Sequence, residues 1–433
     1  MALQNSFFLC ILITILFQNL FFAKGACFQP SGSMHEEEAE EEEEENFNGV
    51  LRHSGSSIFS VDEFGAKGHG SFDNRAFEKA WKRACSSNGA AVVLVPKHKT
   101  YRLKPIKFQG PCKGRVTVQI EGTLEAPPNP SDWDRKAIEG RYWILFSTTG
   151  SLAVRGGGTI DGKGEKWWQN SCKINESLPC VAAPTALFFK SCKNLVVENL
   201  NVKDSQQIQV NIMRCRNVKV SNLNVSAPDL SPNTDGIHVT NSRNVLIKDS
   251  IIGTGDDCIS IVSGCRRITA RNIVCGPGHG ISIGSLGFNQ TRANVSNVLV
   301  DGAILKGTTN GVRIKTWQGG RGYARRIVFQ NIEMQNVKNP IIIDQNYCDS
   351  EIPCSQQKNA VAVRNVVYRN IKGTSRSEDA MTLNCSSSVP CQGVLLSNID
   401  LVGAEGVEGN VTAVCENLRW LQIGKVVPRL ICA

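Results

Sequence analysis

A short phrase that recurs along the middle of the chain constrains its fold more than any other feature. It reads Lys193-Asn194-Leu195-Val196-Val197, then Arg216-Asn217-Val218-Lys219-Val220, Arg243-Asn244-Val245-Leu246-Ile247 and Arg266-Arg267-Ile268-Thr269-Ala270. Later copies are Ser296-Asn297-Val298-Leu299-Val300, Arg325-Arg326-Ile327-Val328-Phe329 and Arg364-Asn365-Val366-Val367-Tyr368. The second residues lie 23, 27, 23, 30, 29 and 39 positions apart, a step that belongs to solenoids, in which each repeat buries its apolar face only against its neighbours. A second phrase falls between the first ones: Gly236-Ile237-His238-Val239, Cys258-Ile259-Ser260-Ile261, Gly280-Ile281-Ser282-Ile283 and Gly311-Val312-Arg313-Ile314. Two strands per repeat with no helix between them predict an all-β, right-handed parallel β-helix rather than a leucine-rich horseshoe, and propeller blades usually need longer repeats. Phe77, Ala80, Trp81 and Ala84 recur at helical spacing, so residues 74 to 85 are expected to form one amphipathic helix capping the open end of the stack.

The ends of the chain add a compartment. An apolar run from Phe7 to Phe22, broken by Gln18 and Asn19 and followed by Ala23-Lys24-Gly25, reads as a secretory leader over residues 1–25. Residues 26–56 carry nine glutamates between Glu36 and Glu45 and too little apolar content to pack, as a linker or propeptide would. One catalytic β-helix domain is expected over 57–433. The whole chain has a formal charge of +9, so the part outside the glutamate run carries +18 and favours an anionic partner. Seventeen cysteines and six glycosylation acceptors (Asn175, Asn224, Asn289, Asn294, Asn384, Asn410) also fit export. Cys172 with Cys180, Cys348 with Cys354, Cys385 with Cys391 and Cys415 with Cys432 are spaced as local loop staples, and no paired Cys-x2-Cys units suggest zinc.

Chemistry gathers just before the strands of the second phrase. Asn233-Thr234-Asp235 precedes Gly236, Gly255-Asp256-Asp257 precedes Cys258, and Gly278-His279 precedes Gly280. Asp235 to Asp257 and Asp257 to His279 are both 22 residues, so a β-helix stacks these positions about 4.8 Å apart on successive coils. Arg313 and Lys315, two apart, project from the same side of the next coil. Each piece alone has a bland explanation: a turn, a loop, a solvated face. His238 is set aside as a structural histidine. Carboxylates stacked beside a histidine and two cations must share protons or counter-charges, however, and such mutual shifting suits acid and base work.

In these four motifs, and in longer stretches such as Ser231 to Gly236 and Gly276 to Gly287, the chain resembles the plant polygalacturonases of glycoside hydrolase family 28, over about residues 57 to 432. The resemblance implies hydrolysis of α-1,4 bonds of de-esterified pectin with inversion, in the cell wall outside the cell. Asp256 would be the general acid; Asp235 and Asp257 would hold and activate water; His279 would tune the acid. Asn233, Arg313, Lys315 and Tyr347 would bind substrate, and a Cys258–Cys275 disulfide would brace the site. Polygalacturonate is then the partner of a monomer needing no cofactor or metal, with no nucleic acid and no membrane involved. Two points stand against a simple transfer. Adjacent Asp256 and Asp257 point to opposite faces of a regular strand unless the chain turns at Gly255. Stacked carboxylates about 5 Å apart also fall short of the 6.5–9.5 Å typical of inverting enzymes. The competing expectations are a calcium-dependent pectate lyase on the same scaffold and a catalytically silent wall-binding protein.

Overall fold

The computed structural model describes residues 55–349, 354–407 and 410–432, so the expected leader and nearly all of the acidic segment lie outside the described residues. From Gly55 onward the chain forms one compact unit. Its strands run parallel in two long sheets, one of 17 strands and a narrower one of 12, wound as a right-handed parallel β-helix.

The repeated phrase marks corners rather than straight strands. Strands Lys193–Lys203, Arg216–Ser226, Arg243–Gly253 and Arg266–Cys275 pair in unbroken register, so that the phrases stack. The second residue of every copy is left-handed: Asn194, Asn217, Asn244, Arg267, Asn297, Arg326 and Asn365 have φ between 51° and 57°. A second column of left-handed residues, Asn199, Asn222, Asp249 and Asn272, bends the same strands five positions later. Asparagine enters this conformation at lower cost than other side chains do. Stacked amides then link the coils: Asn217 Nδ2 donates to Asn194 Oδ1 at 3.1 Å, and Asn244 Nδ2 to Asn217 Oδ1 at 3.1 Å. After the second bend each coil runs out as a loop and returns as a short strand of the narrow sheet, such as Ile237–Thr240, Ile259–Ile261 and Ile281–Leu286.

Inside, like stacks on like. Ile237, Ile259, Ile281 and Val312 form one fully buried column, and Phe146 stacks on Phe189 with ring centroids 5.5 Å apart. The expected cap is the helix Asn74–Cys85, which buries Ala76, Phe77, Ala80, Trp81 and Ala84 on the first coils. Its last residue, Cys85, bonds to Cys112, a staple not foreseen from spacing. All four closely spaced cysteine pairs are bonded, and so are Cys258 and Cys275. Cys192, Cys215 and Cys265 stay unpaired and buried. No helix among the described residues is long and apolar enough to cross a membrane.

Candidate active site

The site lies where the loops of three coils enter the narrow sheet. Its scaffold is the register itself. Gly236 N–H donates to the Asp257 carbonyl at 2.9 Å and Cys258 N–H to the Gly280 carbonyl at 2.8 Å, so the segments bearing Asp235, Asp257 and His279 are successive rungs. Beneath Asp257, the Cys258–Cys275 disulfide ties its rung to the end of the adjoining strand.

Asp256 and Asp257 do share one side, because residues 254–257 form a bend and the strand begins only at Ile259. Gly255 permits the bend by close approach: a Cβ there would lie well inside van der Waals contact of the Ser231 carbonyl oxygen. Thr234, fully buried, accepts a hydrogen bond from Gly255 N–H at 3.0 Å and locks this loop to the one carrying Asp235. Gly255→Ala is therefore expected to cost about 2 kcal/mol of stability through overpacking. By displacing the acid pair it should also lower activity about tenfold or more. Thermal melting and initial rates on one preparation check both.

Each carboxylate has its own partners. Asp256 Oδ1 accepts from His279 Nδ1 at 2.9 Å and from Asp257 N–H at 2.8 Å, while Oδ2 accepts from Asn233 Nδ2 at 3.2 Å. Asn233 has φ 55°, so simple alternation does not set its direction, yet it reaches the site by contacting the next coil. His279, expected to stack on Asp257, uses its ring on Asp256 instead. Asp257, nearly fully buried, accepts from Ser282 Oγ at 2.6 Å, Arg313 Nη2 at 2.9 Å and Lys315 Nζ at 3.2 Å. Arg313 Nε also donates to Ser282 Oγ at 3.0 Å, so both cations bind first to groups of the protein itself. The Lys315 ammonium also sits 5.6 Å from the Tyr347 ring centroid. That ring meets Trp317 edge-on at 5.1 Å, and Trp317 meets Phe288 at 5.0 Å, giving the cleft an aromatic flank.

Three participants escaped the sequence reading. Ser260 Oγ donates to Asp235 Oδ2 at 2.6 Å, Ser282 holds Asp257, and His238, set aside as structural, places Nδ1 3.2 Å from Asp235 Oδ2 and 2.7 Å from Ser260 Oγ. The signal was present: the central residues of the second phrase, His238, Ser260, Ser282 and Arg313, form one register column beside the carboxylates.

Protonation follows from these contacts. Burial, reinforced by the Asp256 charge, pushes the Asp235 carboxyl above its usual range. Burial also acts to raise Asp256, but the His279 hydrogen bond and charge, with Lys315 behind them, prevail and hold it at about 2. The same hydrogen bond raises His279. Asp235 therefore keeps a proton more readily than Asp256, and the Asp256–His279 pair shares one along a 2.9 Å line. Asp256, Asp257 and His279 bring ligand-type atoms within 4.8 Å of one another. With Arg313 and Lys315 already on Asp257, the cluster suits proton exchange better than a divalent ion.

A profile described as Glycosyl hydrolases family 28 matches residues 85–425. A polygalacturonase of Malus domestica is 56% identical over 376 residues, covering 86% of this chain and 79% of that protein. One of Persea americana is 55% identical over 376 residues, covering 86% and 80%. The crystal structure of an endo-xylogalacturonan hydrolase from Aspergillus tubingensis superposes with a TM-score of 0.72 over 86% of this chain and 99% of that one; at 22% identity it speaks for the coil architecture alone. Since the family profile spans the coils that carry the acid pair, the histidine and the two cations, and plant relatives share more than half of the aligned positions, the chain belongs to glycosyl hydrolase family 28.

Proposed function

We propose that the protein is a polygalacturonase, hydrolysing α-1,4 bonds between galacturonate units of de-esterified pectin in the plant cell wall. The observation that carries this is the division of labour among three clustered carboxylates. Asp256 is coupled to a histidine that can resupply a proton; Asp235 and Asp257 are held by serines on neighbouring rungs; two cations stand beside them for an anionic sugar. The proton shared along the Asp256–His279 hydrogen bond passes from His279 Nδ1 to Asp256 as Asp256 protonates the glycosidic oxygen, and His279 regains a proton from solvent between turnovers. Asp235 and Asp257 hold the attacking water, and one of these carboxylates takes its proton as the water oxygen bonds the anomeric carbon and the glycosidic C–O bond breaks. The donors that Arg313 and Lys315 do not spend on Asp257 pair with the galacturonate carboxylate, and Asn233 and Tyr347 border the sugar. Water held jointly by two carboxylates allows single displacement at a short carboxylate separation. The leader over residues 1–25 would export the chain, with residues 57–433 as the catalytic domain acting as a monomer.

The test is a digestion of polygalacturonate in the presence of a chelator. Reducing ends should appear without the ultraviolet absorbance of unsaturated sugars, and proton NMR should show the β anomer first. Unsaturated product that requires calcium would make the protein a lyase. First formation of the α anomer would make it a retaining enzyme, and silence in both channels would leave a wall-binding protein.

A further inference from the structure

We propose that a column of cations at the start of the wide sheet's strands, exposed except for the half-buried Arg216, is a second, non-catalytic track for an acidic polysaccharide strand; the identity of that polymer rests on the polygalacturonase reading. Lys193, Arg216, Arg243 and Arg266, the first residues of four successive phrases, are paired rung to rung, and the column continues through Ser296 to Arg325 and Arg364. Adjacent rungs lie about 4.8 Å apart. Arg267 and Arg326 add exposed charge at the adjoining corner.

None of Arg216, Arg243, Arg266 and Arg364 has a carboxylate within 4.0 Å among the described residues. Like charges stacked at this distance repel, and a merely solvated face has no need of the arrangement. A column five positions further along the same strands differs. It runs Glu198, Ser221, Lys248, Arg271, Asp301, Gln330, Arg369, mixing signs and neutral residues, with Ser221 buried.

The track is separate from the catalytic groove. Asp235 precedes the strand Ile237–Thr240 and Arg243 follows it; Asp257 precedes Ile259–Ile261 and Arg266 follows that. The two columns therefore flank one face of the same coils and run parallel along the axis. A 1,4-linked polymer with a carboxylate on each sugar offers anionic charge at a repeat comparable to the coil spacing, and the chain outside the glutamate run carries the matching positive excess. A strand seated there would hold the enzyme on wall material between cleavages.

The test uses the full chain carrying Asp256→Asn, so that the polymer survives, with Arg216, Arg243, Arg266 and Arg364 all changed to Gln or all to Lys. Binding to cross-linked polygalacturonate is measured across a sodium chloride series. Each exposed pairing is worth at most a few-fold, so the Gln set should bind on the order of tenfold more weakly. Its salt dependence should be shallower, while the Lys set keeps both. With Asp256 intact, kcat/KM on short galacturonate oligomers should be unchanged in both sets. Equal polymer binding by the parent and the Gln set would overturn the proposal. So would loss of oligomer turnover in both sets, because the arginines would then act through the fold or the groove. Charge-dependent capture of phosphatidylserine vesicles without charge-dependent capture of the polymer would overturn it in favour of a membrane surface. Because binding is read on protein that cannot cleave, failure of the track and failure of the hydrolase assignment give different results.

Discussion

Asp256→Asn should lower kcat on polygalacturonate by about 10³-fold, leaving KM within a few-fold, and should lower the melting temperature modestly, because the His279 pairing is lost. The amide keeps the shape and can still meet Asn233, but it has no proton to give a leaving oxygen. Steady-state rates with a thermal melt on the same sample check this; residual activity within tenfold of the parent would remove Asp256 from the acid role. The pH profile follows from the same pair. His279, ordinarily 6.5, is raised by its bond to Asp256, so it loses its proton only as pH climbs through that higher value, and activity should decline there. Asp256, ordinarily 3.8, is held at about 2, so the ion pair persists until pH falls toward that value. In stability, the raised histidine contributes fully below 6.5 and loses its contribution as pH rises through its folded value. The depressed Asp256 contributes fully above 3.8 and loses its contribution on acidification, so together they favour the weakly acidic window between 3.8 and 6.5. Asp235, raised by burial, has the opposite sign from Asp256 and is stabilising only toward the acid end. His279→Gln should move the alkaline limb of activity, which a purely structural histidine would not do.

Asp257→Asn should be worse in a different way. Its carboxylate, 4% exposed, compensates Arg313 and Lys315, whose side chains are themselves 14% and 11% exposed. Removing that charge leaves two buried cations facing each other, and breaking such a pairing costs about 3 kcal/mol or more. Activity should fall by at least about 10³-fold, since the water loses a holder and the substrate-facing cations lose their anchor. Denaturant unfolding separates the effects: adding Arg313→Gln to Asp257→Asn should recover part of the stability and none of the turnover. A single variant as stable as the parent would show that Asp257 is not the counter-charge this geometry makes it.

Much of the coil was legible because its physics is periodic. The phrase spacing, the second strand and the capping helix all follow from apolar residues that must stack inside, and the 22-residue steps placed Asp235, Asp257 and His279 on successive rungs. What spacing could not convey was side-chain direction in bends. Asn233 is left-handed, Asp256 and Asp257 precede their strand, and His279 reaches sideways to Asp256 rather than along the stack. The serines were hidden for another reason. Ser260 and Ser282 look like ordinary strand residues until neighbouring rungs show them beneath carboxylates. The phrase itself was recognised while its role was missed, since its asparagines turn corners instead of extending strands.

The two equal steps of 22 residues act as a ruler. Between phrases the stride runs from 23 to 39 positions, and the surplus is taken up in loops and in register shifts such as that between Ile283 and Leu286. Between Asp235 and His279 there is no such slack, because one added residue would carry an acid off its rung and away from the serine and cations that serve it. Tolerance to insertions should therefore be lowest in this stretch of 45 positions and high in the loops after Leu286 and Trp317, where a designer could lengthen the walls of the groove without touching its chemistry.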